Sequence, residues 1–126
     1  MNKNKTKKDW PIGNKEETKN WIINTIKNYV ESKHIKYEYY EASTGSGYFT
    51  FLINEDYETN PKLRIADHQP NYFVHTISYD MIGKNTKKET VRKHIYRVVD
   101  NTIERGRKFN LANILNNIDN KEKKDD

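Results

Sequence analysis

Residues 43–68, from Ser43 to His68, read STGSGYFTFLINEDYETNPKLRIADH, and this stretch decides the fold. Thr44-Gly45-Ser46-Gly47 is a turn, because its glycines take positive φ without a side-chain penalty. From Tyr48 to Asn54 the chain alternates, with Phe49, Phe51 and Ile53 on one side. A period of two with one apolar face is the pattern of a strand. Glu55 to Pro61 is a polar loop, and Leu63 to Ala66 is a short strand with Leu63 and Ile65 on one face. Upstream, Ile35 to Ala42 also alternates, with Ile35, Tyr37 and Tyr39 opposite Lys36, Glu38 and Tyr40. The two alternating runs flanking the glycine turn predict an antiparallel hairpin. Downstream, Asp67 to Asn71 contains Pro70 and reads as a turn. Tyr72 to Tyr79 is a fourth strand, in which Phe73 and Ile77 alternate.

Helices bracket these strands. The first runs from about Lys15 to Ser32, where Trp21 or Ile22, Ile26, Tyr29 and Val30 recur at helical spacing. Lys19, Lys27 and Glu31 fall toward its wetter side. A second spans about Lys88 to Lys108, with Val91, Ile95, Val98, Val99, Thr102 and Ile103 in one narrow arc. Leu111, Ile114, Leu115 and Ile118 suggest a short third helix. The expected fold class is α+β: an antiparallel three- to four-stranded sheet with N-terminal and C-terminal helices packed on one face. The other face would be rich in Tyr, Thr and charge. Residues 1–14 are expected to form a basic mobile arm, 15–118 a single domain, and 119–126 a charged tail. Within the arm, Trp10-Pro11-Ile12-Gly13 is a turn-like entry that docks an aromatic ring onto the domain.

Composition bounds the chemistry. The chain has 126 residues, of which 33% are hydrophobic and 33% charged, so a lean core carries a heavily solvated exterior. It has no cysteine, which excludes disulfides, thiolate metal sites and thiol nucleophiles. No run approaches the ~18 apolar residues of a membrane span. Lys3, Lys5, Lys7 and Lys8 have no apolar stretch behind them, so no secretory signal is expected. The net charge of +5 is unevenly spread. Residues 84–108 hold nine Lys/Arg against three Asp/Glu, whereas residues 31–67 hold seven carboxylates against four Lys/Arg. A basic face attracts nucleic acid, or a protein laden with it, although a charge run is also what a solvated helix face looks like.

Arg64, Asp67 and His68 are the obvious polar cluster. A catalytic role would make His68 a base oriented by Asp67, with Arg64 clamping an anion. Adjacent residues on an extended chain point to opposite sides, so Asp67 is expected to be poorly placed for that task. Structure or binding is the expected role instead, with Asp67 accepting backbone N–H bonds and Arg64 paired with a carboxylate on a neighbouring strand. His34, His68, His75 and His94 match no common zinc spacing. The T-G-S-G-Y run of residues 44–48 lacks the Gly-Lys-Ser/Thr ending of a phosphate loop. Of the nine tyrosines, Tyr40, Tyr48, Tyr57 and Tyr72 are expected on or near the sheet surface. There they would serve as stacking platforms or protein-interface anchors. Arg92, Lys93 and Arg97 lie off the apolar arc of the second helix and, with Arg105, Arg107 and Lys108, suggest a basic strip.

The order of these features resembles the broad-spectrum type II-A anti-CRISPR proteins, phage-encoded inhibitors of Cas9. In that family a tyrosine follows a small serine turn, and a later strand carries Arg-(apolar)-Ser-(Asn/Asp)-His. Ser46, Tyr48, Arg64, Asp67 and His68 occupy the matching places here, and Ala66 departs from the usual serine. The pattern covers roughly Ile35 to Phe109, and the Arg-to-His stretch is its sharp part.

The resemblance implies a stoichiometric inhibitor, not an enzyme, that binds guide-loaded Cas9 in the bacterial host cytoplasm and stops DNA cleavage. It needs no catalytic residue, metal or cofactor. Lys3, Lys5, Lys7 and Lys8 would correspond to the family's mobile basic arm by character rather than by residue. Binding is expected from these lysines, from Arg92, Lys93 and Arg97, and from exposed tyrosines such as Tyr48. Arg64, Asp67 and His68 would organise the strand-to-turn geometry or sit at the contact surface. The rival expectations are a small basic nucleic-acid-binding protein of a phage or mobile element, an inhibitor of another CRISPR effector, an enzyme using His68, and a structural or regulatory phage protein with no defence role.

Overall fold

The computed structural model of the protein describes residues 9–68, 75–79, 82 and 86–124, with the backbone alone for 113 and 117–124. Lys3, Lys5, Lys7 and Lys8, the Pro70 turn, Tyr72 and Phe73 lie outside the described residues.

Helix α1 is Lys15–Ser32. Asn14 starts it, its side-chain oxygen accepting the Glu17 N–H at 2.9 Å. Glu16 and Glu17 place negative charge at the positive end of the helix dipole. Ile22, Ile26 and Val30 follow at spacings of four and are fully buried. The helix ends on His34 with φ 59, a left-handed residue. There the Ile35 N–H reaches the Val30 carbonyl at 3.0 Å and the His34 N–H reaches that of Glu31 at 3.1 Å.

Strands β1 (Tyr37–Glu41) and β2 (Gly47–Phe51) form the expected antiparallel hairpin, with Tyr39 opposite Phe49. Gly45, at φ 91, closes its turn by donating to the Ala42 carbonyl. After a single turn of 3-10 helix at Tyr57–Thr59, β3 (Lys62–Ala66) pairs antiparallel to β2, and β4 (His75–Ser78) lies beside β3. The last pairing corrects the expectation, because β3 and β4 run parallel and the four-stranded sheet is mixed. Only eight residues, 67–74, separate the two strands, fewer than the dozen or so a parallel connection usually takes. Hydrophobic alternation is blind to strand direction. Ile65 opposite Ile77 gives the same apolar face either way.

That face carries Phe49, Phe51, Leu63, Ile65 and Ile77, all buried against both helices. Each such side chain contributes about 1.5–3 kcal/mol by leaving water. Trp10 joins the core in a T-shaped, edge-to-face contact with Trp21, their ring centroids 5.5 Å apart, and the Asp9 and Trp10 N–H groups donate to the Thr86 carbonyl.

Helix α2 is Lys88–Lys124, 37 residues without interruption. Two helices, ending near Lys108 and starting near Leu111, were expected. The apolar arc does change sides there, but no proline follows to break the backbone hydrogen bonds. Val91, Ile95, Val99, Thr102 and Ile103 are buried, while Phe109, Leu111, Ile114 and Leu115 are exposed beyond the body. Among the described residues no helix is long and apolar enough to cross a membrane.

Candidate functional site

The sheet register brings the sequence cluster together. Tyr48 lies directly opposite Arg64, and Tyr40 opposite Tyr48, so all three share the face turned away from the helices. The Tyr40 and Tyr48 rings stack at 5.3 Å. Arg64 is only 5% exposed. One terminal nitrogen donates to the Ser46 hydroxyl at 3.3 Å and the other to the His68 carbonyl at 3.2 Å. The Arg64 Nε has no partner. The expected carboxylate partner for Arg64 is a correction, because among the described residues no carboxylate pairs with it. Two carboxylates nearby, Asp67 and Glu41, are already occupied.

Asp67 is one of them. Its Oδ1 lies 2.6 Å from His68 Nδ1, and its Oδ2 lies 3.6 Å from the Lys15 ammonium. This overturns the expectation that Asp67 is poorly placed to orient His68. The opposite-sides rule holds within a strand, and both residues follow the end of β3. The expected backbone N–H partners of Asp67 give way to side-chain partners. The His68 hydrogen bond, backed by the Lys15 charge, holds the Asp67 carboxyl below the usual carboxylate range. With Asp67 ionised, Nδ1 carries the ring proton and Nε2 is left for solvent. Among the described residues no hydroxyl is hydrogen-bonded to His68.

Lys19 supplies the opposite wall. The wet position expected for it is a second correction, because Lys19 is 4% exposed and its ammonium pairs with Glu41. It sits one turn ahead of Ile22 and Ile23, where the start of α1 settles on the sheet. Burial works against the charged amine, yet the hydrogen bond and charge of Glu41 prevail and raise its proton affinity. Lys15, Glu16, Lys19, the Thr44–Ser46 turn, Tyr48, Arg64, Asp67, His68 and Tyr79 together line a cleft of about 460 Å³. Sequence reasoning missed Lys15 and Lys19. Their spacing of four on one helix face was the available signal.

Comparison of the chain with protein-family models, with curated proteins and with solved structures finds no match.

The other expected binding residues lie elsewhere and are divided. Arg92 turns to α1, with its guanidinium 5.4 Å from the Trp21 ring centre and ion-paired with Glu89. Lys93 and Arg97, one turn apart and exposed, line a groove with Thr76, Ser78 and His94. Tyr40 and Tyr57 are well exposed, and Tyr57 donates to Glu38 at 2.6 Å. Among the described residues no group of three or more His, Asp or Glu could hold a metal ion.

Proposed function

We propose that this protein is an anti-CRISPR inhibitor that binds a guide-loaded Cas9 effector one to one and prevents DNA cleavage. One observation carries the reading. The residues on which the resemblance rests, Ser46, Tyr48, Arg64, Asp67 and His68, are 22 positions apart at their extremes yet line a single cleft. The exposed Lys93 and Arg97 and the lysines of residues 3–8 add positive charge that speeds encounter with an RNA-laden nuclease. The setting is the bacterial host cytoplasm, with the gene carried by a phage or mobile element.

The test is a titration into a guide-loaded Cas9 cleavage reaction, with target DNA in large excess over the protein. Loss of cleavage near equimolar protein supports the reading. Full cleavage by several Cas9 orthologues sinks it and leaves another CRISPR effector as the target to try.

A second reading is a small nucleic-acid-binding protein of the same kind of element, favoured by the groove between Lys93, Arg97 and β4. It requires direct binding to free DNA or RNA that weakens steeply with salt, and inhibition only when the protein outnumbers the DNA.

A further inference from the structure

We propose that the Arg64 cleft is a carboxylate pocket, filled in the complex by one Asp or Glu side chain of the protein partner. The pocket stands on the geometry alone; the identity of the partner rests on the inhibitor reading.

The argument starts from an uncompensated charge. Arg64 is 5% exposed, and both groups it touches, the Ser46 hydroxyl and the His68 carbonyl, are neutral. A guanidinium removed from water without an anion is strongly disfavoured, which is why buried charges are nearly always paired. The other cations of the cleft have their anions: Lys15 has Asp67, and Lys19 has Glu41. Arg64 alone lacks a carboxylate among the described residues, and its Nε has no partner of any kind.

The donors that remain suit a planar oxyanion. A guanidinium has five N–H groups. After the bonds to Ser46 and His68, each terminal nitrogen keeps one hydrogen. The Ser46 hydroxyl, having accepted from Arg64, still has its own proton to give. A carboxylate matches such a fork with two parallel bonds. The half-exposed Tyr48 ring, beside Arg64 in the sheet, offers a surface for the aliphatic stem of the incoming side chain.

Charge balance favours a protein carboxylate over a nucleic-acid phosphate. Arg64 is a single cation with no carboxylate hydrogen-bonded to it among the described residues, whereas a nucleic-acid strand brings a negative charge at every nucleotide. Its neighbouring phosphates would meet Glu16 and Asp67 in the lining. A single acidic side chain brings one charge and ends there.

The experiment titrates acetate into the full-length nitrogen-15-labelled protein at constant ionic strength, with chloride as the balancing salt. The Arg64 Nε–H signal, together with the Ser46 and His68 amides, is expected to shift and saturate. Arg64→Gln is expected to abolish the response at Ser46 and His68. Should that variant not fold, the wild-type Arg64 signal decides alone. Absence of a saturating shift overturns the pocket. Inorganic phosphate that displaces acetate and binds about tenfold tighter or more, a gain of ~1.4 kcal/mol, overturns the carboxylate assignment in favour of a phosphate ligand. Inhibition of Cas9 without acetate binding removes the pocket and leaves the inhibitor reading intact. Acetate binding by a protein that inhibits no Cas9 keeps the pocket and removes that partner.

Discussion

His75 and Arg105 face each other between β4 and α2, the Arg105 guanidinium donating to His75 Nε2 at 3.0 Å. Arginine never accepts, so Nε2 is unprotonated and Nδ1 carries the hydrogen. Nδ1 donates to the Thr102 hydroxyl at 2.6 Å, and that hydroxyl donates to the Val98 carbonyl at 2.8 Å. The chain of bonds fixes His75 in its neutral form. Burial, and then the Arg105 charge, hold its proton affinity below the ordinary histidine value of 6.5.

Stability should therefore depend on pH in one direction. The unfolded chain takes up the His75 proton near the ordinary value while the folded one resists it. The contribution is complete above that value, falls as pH drops through it, and levels off below the lowered folded value. The denaturation midpoint of the wild type is expected to fall more between about pH 7.5 and about pH 5 than that of His75→Asn. Parallel pH profiles for the two proteins would refute this.

Gly106 sits inside α2 against Pro61, and a Cβ there would lie 2.5 Å from the proline Cγ. Helix propensity alone predicts that Gly106→Ala stabilises by about 1 kcal/mol. The contact predicts the opposite, because a proline ring cannot swing aside as a flexible chain does. A lowered urea midpoint supports the contact, and a raised one shows that the loop before β3 yields.

His34 ends α1 in the left-handed region, where a Cβ meets the following carbonyl. Its side chain is exposed. His34→Gly is expected to stabilise the fold by roughly 1 kcal/mol, read as a raised urea midpoint. An unchanged or lowered midpoint would mean that the imidazole compensates the strain.

Charge reversal on α2 should separate stability from binding. Arg92→Glu loses the Trp21 ring and the Glu89 pair, and is expected to cost about 1 kcal/mol of stability. Lys93→Glu with Arg97→Glu should leave stability within about 0.5 kcal/mol and weaken nuclease inhibition. Inhibition untouched by the double reversal removes that groove from the contact surface.

The parts of the fold legible in the sequence are those with local causes. Asn14 before Lys15, apolar residues every four positions, and alternation on both sides of Gly45 locate α1 and the hairpin. What was not legible depends on relations that no local pattern records. The direction of β4 leaves no trace in the alternation of its residues. The change of apolar side near Phe109 looks like a break, although a helix can switch faces without stopping. Lys19 reads as wet because lysine usually is, and only the packing of α1 on the sheet brings Glu41 to it. The candidate cleft was half legible. Arg64, Asp67 and His68 stand out as neighbours, but the burial of Arg64 without a counter-ion follows from Tyr48 on another strand and Ser46 in the turn before it.

Helix α2 is one element in the hydrogen-bond ladder and two in lifetime. Up to Gly106 its inward face, Val91, Ile95, Val99, Thr102 and Ile103, is buried in the core, so its opening is expected to follow that of the domain. Past Gly106 the described apolar side chains Phe109, Leu111, Ile114 and Leu115 are largely exposed, and a helix with little tertiary packing is marginal in water. The far half is therefore expected to open and close more often than the near half. A partner that lies along Phe109, Leu111, Ile114 and Leu115 would be felt first as a slowing of that opening.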